Sequence, residues 1–300
     1  MFRSLMVPLD GSAFGEHALP WAMSIARRAG APLELVHVYE PWESVRGEVP
    51  ELTEINARAR ERAQAYLNDV VQRVTAISSL PVESTLLDGH VVDRVLERAK
   101  TSQTDLIVLT THGRGPLSRL WLGSTAVELI RQATMPVLVI RPQEHAPDLT
   151  HEPAAQRMLI PLDGSAFAEQ VLAPATTFGK LMHVDYSLLH VVEPASSDYA
   201  ESWFEVTEQV DAALVEQAQS HLQQIADRFE QQSLSVKTWV ATDWQPASEI
   251  LEHARLQRID VISMATRGQS GLARAFLGSV SDKVVRGASV PVLLHRPSSS

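Results

Sequence analysis

The chain has no cysteine among its 300 residues. Disulfides, thiolate metal sites, iron–sulfur clusters and a cysteine nucleophile are excluded together, and the composition suits a reducing compartment. No stretch approaches the roughly 20 apolar residues of a membrane-spanning helix. The first ten residues lack the apolar core of a signal peptide, because Pro8 and Asp10 interrupt it. A cytoplasmic location is the expectation, with no membrane partner. Positive charge is in deficit: 26 Lys and Arg stand against 36 Asp and Glu, a net charge of −10. Such a chain repels phosphate backbones, so nucleic acid is not an expected partner. The P-loop pattern G-x-x-x-x-G-K-[ST] is missing, as are a three-glycine dinucleotide fingerprint and a G-x-S-x-G elbow with a triad. The eleven histidines show no metal-ligand spacing; His112 in one copy is Arg267 in the other, which argues against an obligatory catalytic histidine there.

What the chain does contain is a duplication. The segment "MVPLDGSAF" at Met6 returns as "LIPLDGSAF" at Leu159, so Asp10 maps to Asp163 and His37 to His190, both at an offset of 153. "TDLIVLTTHGRG" returns as "IDVISMATRGQS", which maps Gly113 to Gly268 at 155. This period is far longer than a solenoid repeat, so each copy is read as a complete domain. At about 150 residues per domain the length agrees. The polar, proline-bearing stretch "RPQEHAPDLTHEPAAQ" reads as the join. The expected division is a first domain over 1–142, a linker over 143–156 and a second domain over 157–297.

Within the first copy, apolar strands are expected at Ser4–Val7, Leu33–Val38, Val82–Leu87, Leu106–Leu109 and Val137–Ile140. Helices are expected at Ala13–Arg28, Glu51–Ser78, Val91–Lys100 and Ser124–Gln132, with Pro20 kinking the first or marking its first turn. Continuously apolar strands such as "LIVL" suit a parallel sheet covered on both faces. The fold class is therefore α/β: two repeated, doubly wound, Rossmann-like domains, each a five-stranded parallel sheet with four helices. The common strand order for this pattern, 3-2-1-4-5, puts the switch point between strands one and four.

Ligands of such sheets bind beyond the strand carboxyl ends at that point. The two loops that fall there are also the best repeated. Asp10 and Asp163 end the first strand, where a carboxylate can accept from ribose hydroxyls, hold a metal on phosphates, or merely cap the next helix. The second loop runs from Thr110, and from Ala265, into a helix. Its glycines, Gly113 and Gly123 or Gly268 and Gly278, allow close backbone approach, and Ser124 and Ser279 are candidate N-caps. Two glycine turns and a helix start make an anion cradle, although each glycine taken singly also suits a plain turn. His37 and His190 end strand two and are read as structural. The tryptophans do not recur between copies and are read as local packing.

These residues resemble the universal stress protein family in its tandem form. The resemblance implies ATP binding through G-2x-G-9x-G-[ST]. Its last elements match Gly113, Arg114, Gly123, Ser124 and Thr125, and Gly268, Gln269, Gly278, Ser279, Val280 and Ser281. It further implies an Asp at Asp10 and Asp163, and adenine contacts to the main chain of Val38 and Val191. The first glycine of the pattern is Thr110 in one copy and Ala265 in the other. Threonine is the bulkier intrusion and Pro116 removes a donor, while Ser281 adds a hydroxyl, so the second copy is the more accommodating. The function implied is a nucleotide-dependent stress sensor or regulator with one adenine-nucleotide site per domain. ATP accompanied by Mg²⁺ is the expected ligand, with no catalytic residue and weak ATPase activity left open. The fifth strands are expected to pair the two domains, with a homodimer of chains also open. The alternative is a nucleotide-free dimeric scaffold.

Overall fold

The computed structural model describes residues 1–42, 50–111, 122–195, 204–266 and 278–297. It divides into two compact units, Met1–Ala154 and Ala155–Ser300. The first contains β1 (Leu5–Leu9), α1 (Ala18–Ala29), β2 (Leu33–Tyr39), α2 (Pro50–Ile77), β3 (Val82–Asp88), α3 (Val91–Thr101), β4 (Leu106–Thr110), α4 (Ser124–Gln132) and β5 (Val137–Ile140). The second contains β6 (Arg157–Pro161), the one-turn helix α5 (Ala166–Glu169), α6 (Leu172–Met182), β7 (Asp185–Val192), α7 (Phe204–Glu230), β8 (Val236–Thr242), α8 (Pro246–Leu256), β9 (Val261–Ala265), α9 (Ser279–Gly287) and β10 (Val292–His295).

All strands within a unit pair in parallel. Their order is β3-β2-β1-β4-β5 in the first unit and β8-β7-β6-β9-β10 in the second, the expected doubly wound arrangement. Right-handed crossovers put α1 and α2 on one face and α3 and α4 on the other, and α3 and α4 touch. Central strands are apolar because both faces are covered: Leu5, Met6, Val7, Leu35, Val36, Ile107 and Val108 are fully buried. Burying each such side chain stabilises the fold by about 1.5–3 kcal/mol. Glu34 is a charged exception. Its carboxylate is buried and accepts from Arg98 Nε at 2.6 Å and Thr85 Oγ1 at 2.7 Å.

The single first helix expected in each copy is instead two pieces. A 3-10 turn, Gly15–His17, precedes α1, and α5 precedes α6. The physical reason is a proline at the third position of each main helix, Pro20 in α1 and Pro174 in α6. Proline has no N–H to bond the preceding turn, so it fits only where that donor would be free. The stretch before the boundary lies on α1. Ser24 Oγ donates to the Pro153 carbonyl at 2.6 Å, Arg27 pairs with Glu152 at 2.7 Å, and the His17 ring meets the His145 carbonyl at 2.8 Å.

The pairing itself makes room for a site. β1 pairs with β4 over two residues only, Leu5↔Leu106 and Met6↔Ile107, and β6 with β9 over Met158↔Val261 and Leu159↔Ile262. Each sheet therefore splits towards its carboxyl end, where the chain changes direction.

Candidate functional site

The split is bordered on one side by the loop after the first strand. Asp10 Oδ1 accepts from the Ser12 N–H at 3.0 Å and the Ser12 hydroxyl at 2.7 Å. Asp163 Oδ1 receives the same pair from Ser165, at 3.0 and 2.6 Å. Gly11 and Gly164 between them have φ of 81° and 78°, a left-handed turn that glycine makes without strain. Each serine oxygen in turn accepts an N–H, from Gly15 and from Ala168, both at 3.1 Å. In the second unit Ser165 is thereby the N-cap of α5, in the first Ser12 holds the start of the 3-10 turn, and in both the aspartates hold the loop that presents them at the crevice.

The other border is the loop after the fourth strand. The Thr111 N–H donates to the Ile140 carbonyl, and the Thr111 carbonyl accepts the Gly123 N–H, both at 2.9 Å. Thr266 repeats this with His295 at 2.9 Å and Gly278 at 2.8 Å. The ends of the glycine loop are clasped together in both units. Gly113, Arg114, Pro116, Gly268 and Gln269 lie outside the described residues.

Two expectations are corrected here. The N-caps are Gly123 and Gly278, whose carbonyls accept the first intrahelical bonds from Val127 and Asp282 at 2.9 Å. Ser124 and Ser279 are the first residues inside α4 and α9, with exposed side chains. This shift frees their hydroxyls from capping. It also leaves the N–H groups of the first turn, at Ser124, Thr125 and Ala126, without intrahelical acceptors, at the positive end of the helix dipole. The second correction is Ser281. Its side chain is buried, with Oγ 2.9 Å from the Gly278 carbonyl and 3.2 Å from that of Thr266, so its proton is spent inside the turn.

The main chain of strand two meets the crevice for a reason of register. The Tyr39 carbonyl accepts the Gly89 N–H at 3.0 Å on the β3 side. Alternation along the strand turns the N–H and C=O of Val38 the other way, towards β1, which ends at Leu9 opposite His37. In the second unit the Val192 carbonyl faces Asp243 at 3.1 Å, so Val191 faces the crevice side. In the first unit these parts enclose a cavity of about 770 Å³, within the usual range for a small-molecule site. Asp10, Val38, Thr110, Gly123, Ser124 and Thr125 all line it, with Trp42, Arg62 and Tyr66. Asp163, Val191, Ala265, Gly278, Ser279 and Val280 take the corresponding places in the second unit.

Beneath the crevice lies a titratable cluster. Arg73 makes two 2.9 Å bonds to Glu16, which is buried, and Glu16 holds the guanidinium firmly protonated. Tyr66 places its hydroxyl out of solvent without a well-formed hydrogen bond. Burial first, then the Glu16 charge, pushes that phenol well above its ordinary value. The His37 ring bonds the Leu9 carbonyl at 2.8 Å and meets Tyr66 edge-on, a structural role that pins the end of β1. The second unit has Glu169, Arg228, His221 and His190 in these positions. Glu169 pairs with Arg228 at 2.8 Å and His221 at 3.0 Å. Burial, then the neighbouring His221, lowers the His190 pKa, against the opposing pull of Asp163.

The sequence profile of the universal stress protein family matches residues 1–141 and again 154–296. The chain belongs to the universal stress protein family. It is 29% identical over 302 residues to a universal stress protein of Mycolicibacterium smegmatis, covering 98% of this chain and 97% of that one. Against one from Mycobacterium tuberculosis strain H37Rv it is 27% identical over 307 residues, 99% and 98% of the two chains. The crystal structure of a universal stress protein from Archaeoglobus fulgidus superposes with a TM-score of 0.67 at 18% identity, covering 98% and 96%, which establishes the shared fold.

Set within this family, the duplicated loops are the parts that aligning the two copies could find. Those loops do not include Trp42, Arg62, Asn56 or the Glu16–Arg73 pair, the last of which also recurs as Glu169–Arg228. The expectation of local packing also fails for Trp42 and Trp244, both exposed, whereas Trp239 does pack edge-on against His253, with ring centroids 5.3 Å apart. The signal that could have found Arg62 is its spacing on α2. It lies three residues from Ala59 and four from Tyr66, on the helix face that lines the cavity.

Proposed function

We propose that this universal stress protein binds adenine nucleotide, one molecule in the crevice of each unit, and that occupancy makes it a nucleotide-dependent regulator of a stress response. The observation that carries the reading is the 770 Å³ cavity that joins the Val38 main chain at one end to the open first turn of α4 at the other. Main-chain donors and acceptors at Val38 suit the edge of a purine. Asp10 suits the ribose hydroxyls or a cation on the phosphates. The N–H groups of Ser124 and Thr125, with their hydroxyls, suit phosphate oxygens. ATP is the nucleotide proposed, with Mg²⁺ as the companion of its phosphates and Asp10 as the carboxylate placed to meet it. Thr110 stands in the cavity wall without filling it, which weighs against the nucleotide-free scaffold.

The test is chromatography of the supernatant after denaturing purified protein, with calorimetric titration of the emptied chain by MgATP. The reading expects released adenine nucleotide, or saturable heat with a raised Tm. Clean protein that neither evolves heat nor shifts its Tm would overturn it. Ser124→Pro probes the phosphate end. Proline is tolerated at the first helical position, and Gly123 already has the extended backbone (φ −59°, ψ 143°) that a following proline requires. The substitution removes one N–H and one hydroxyl while keeping the helix. ATP binding to the first unit is expected to weaken about 10- to 100-fold, from the usual size of a hydrogen bond to a charged group.

A further inference from the structure

We propose that Trp42 is a stacking wall for the purine base in the first unit, and that the second unit, with Ala195 in its place, binds the base more weakly. This inference rests on the nucleotide reading and gives the two crevices of one chain different affinities.

The indole lines the cavity, yet Trp42 is 70% exposed. Leaving so large an apolar ring in water is unfavourable, and the surrounding contacts do not bury it. Its backbone is nonetheless fixed on both sides. Asn56 of α2 accepts the Trp42 N–H at 3.0 Å and donates to the Trp42 carbonyl at 3.1 Å, while Tyr39 donates to the same amide oxygen at 2.6 Å. A residue held this firmly, with its side chain left bare at a cavity mouth, is pre-organised for a ligand with a flat apolar face.

The second unit keeps half of this clamp. Ala195 and Asp211 correspond to Trp42 and Asn56, and the Ala195 N–H donates to Asp211 Oδ1 at 2.8 Å. An ionised carboxylate has no proton to return to the Ala195 carbonyl. The common element is therefore a helix side chain that holds the chain leaving strand two. The ring is an addition peculiar to the first unit, which rules out a role in the shared fold.

The experiment is calorimetric titration of the full chain with MgATP and, separately, with magnesium tripolyphosphate, which has the anionic chain without the base. Wild-type protein is expected to show a tighter and a weaker ATP site. Trp42→Ala should weaken the tighter site about 5- to 100-fold, the range for aromatic–base stacking, and leave tripolyphosphate binding within twofold. Trp42→Phe should restore most of the affinity, and Ala195→Trp should tighten the weaker site. ATP should also quench tryptophan fluorescence in wild type more than in Trp42→Phe. If Trp42→Ala leaves ATP affinity unchanged, or weakens tripolyphosphate equally, the proposal fails while the nucleotide reading stands. If wild-type protein binds tripolyphosphate but not ATP, or binds neither, both fail.

Discussion

The first unit has Ala26 and Leu33 where the second has Gly179 and Tyr186. In the second unit a Cβ added to Gly179 would collide with the Tyr186 hydroxyl, and Tyr186 is buried against Phe229 at 5.0 Å between ring centroids. A larger strand residue is thus matched by a smaller helix residue. The cluster under the crevice varies in the same compensated way. The first unit sets a buried Glu16 against Arg73 and a neutral tyrosine, while the second sets a more exposed Glu169 against Arg228 and a histidine. In these places two copies of one architecture have reached equivalent packing by different residues, while the crevice loops keep the same contacts in both.

Breaking the acid–arginine pair should separate the units most. Arg73→Ala leaves Glu16, with 9% of its side chain exposed, without its partner. A loss of about 3 kcal/mol is expected, read as faster hydrogen exchange in β1 and α2. Arg228→Ala should cost about 1 kcal/mol or less, because Glu169 is 29% exposed and keeps His221. Equal losses would show that the two clusters are energetically alike. Next in size, Gly179→Ala should destabilise the second unit by about 1–3 kcal/mol through overpacking. Adding Tyr186→Leu should recover much of that in a double-mutant cycle, whereas simple additivity would refute the compensation.

The mildest effect expected is a dependence on pH. Burial lowers the pKa of His190 and of His253, both in the second unit. When the folded value lies below the unfolded one, the unfolded chain takes up the proton first. Stability is then full above the ordinary imidazole range and is lost as pH falls through that range towards the depressed values. Exchange protection of β7 and α8 should decline between about pH 7 and pH 5, and His190→Gln should flatten the decline. A profile that leaves the second unit unchanged over this interval would sink the assignment.

Comparison of the two copies exposes what they share and hides what they do not. The sheet, its order and the crevice loops are legible because apolar strands and repeated Asp and Gly–Ser positions survive in both halves. The cap is misplaced by one residue because glycine followed by serine offers two cap formers in sequence, and only the backbone decides between them. Ser281 looks available because its hydroxyl is polar, but the tight first turn of α9 gives it carbonyls to bond. Trp42 and Arg62 escape because a residue special to one half has no like counterpart to call attention to it, and Asn56 escapes because its counterpart, Asp211, is a different residue on a helix face rather than in a repeated loop. The break before α1 is half visible through Pro20, and the second break lacks even that cue, since Pro174 sits one place off the repeat.

The clasp of Thr111 to Gly123, and of Thr266 to Gly278, sets the separation of two chain ends independently of what lies between them. Lengthening such a closed segment costs little, about 0.6 kcal/mol per doubling. The intervening sequence can therefore change in length between relatives without rewriting the scaffold that frames it.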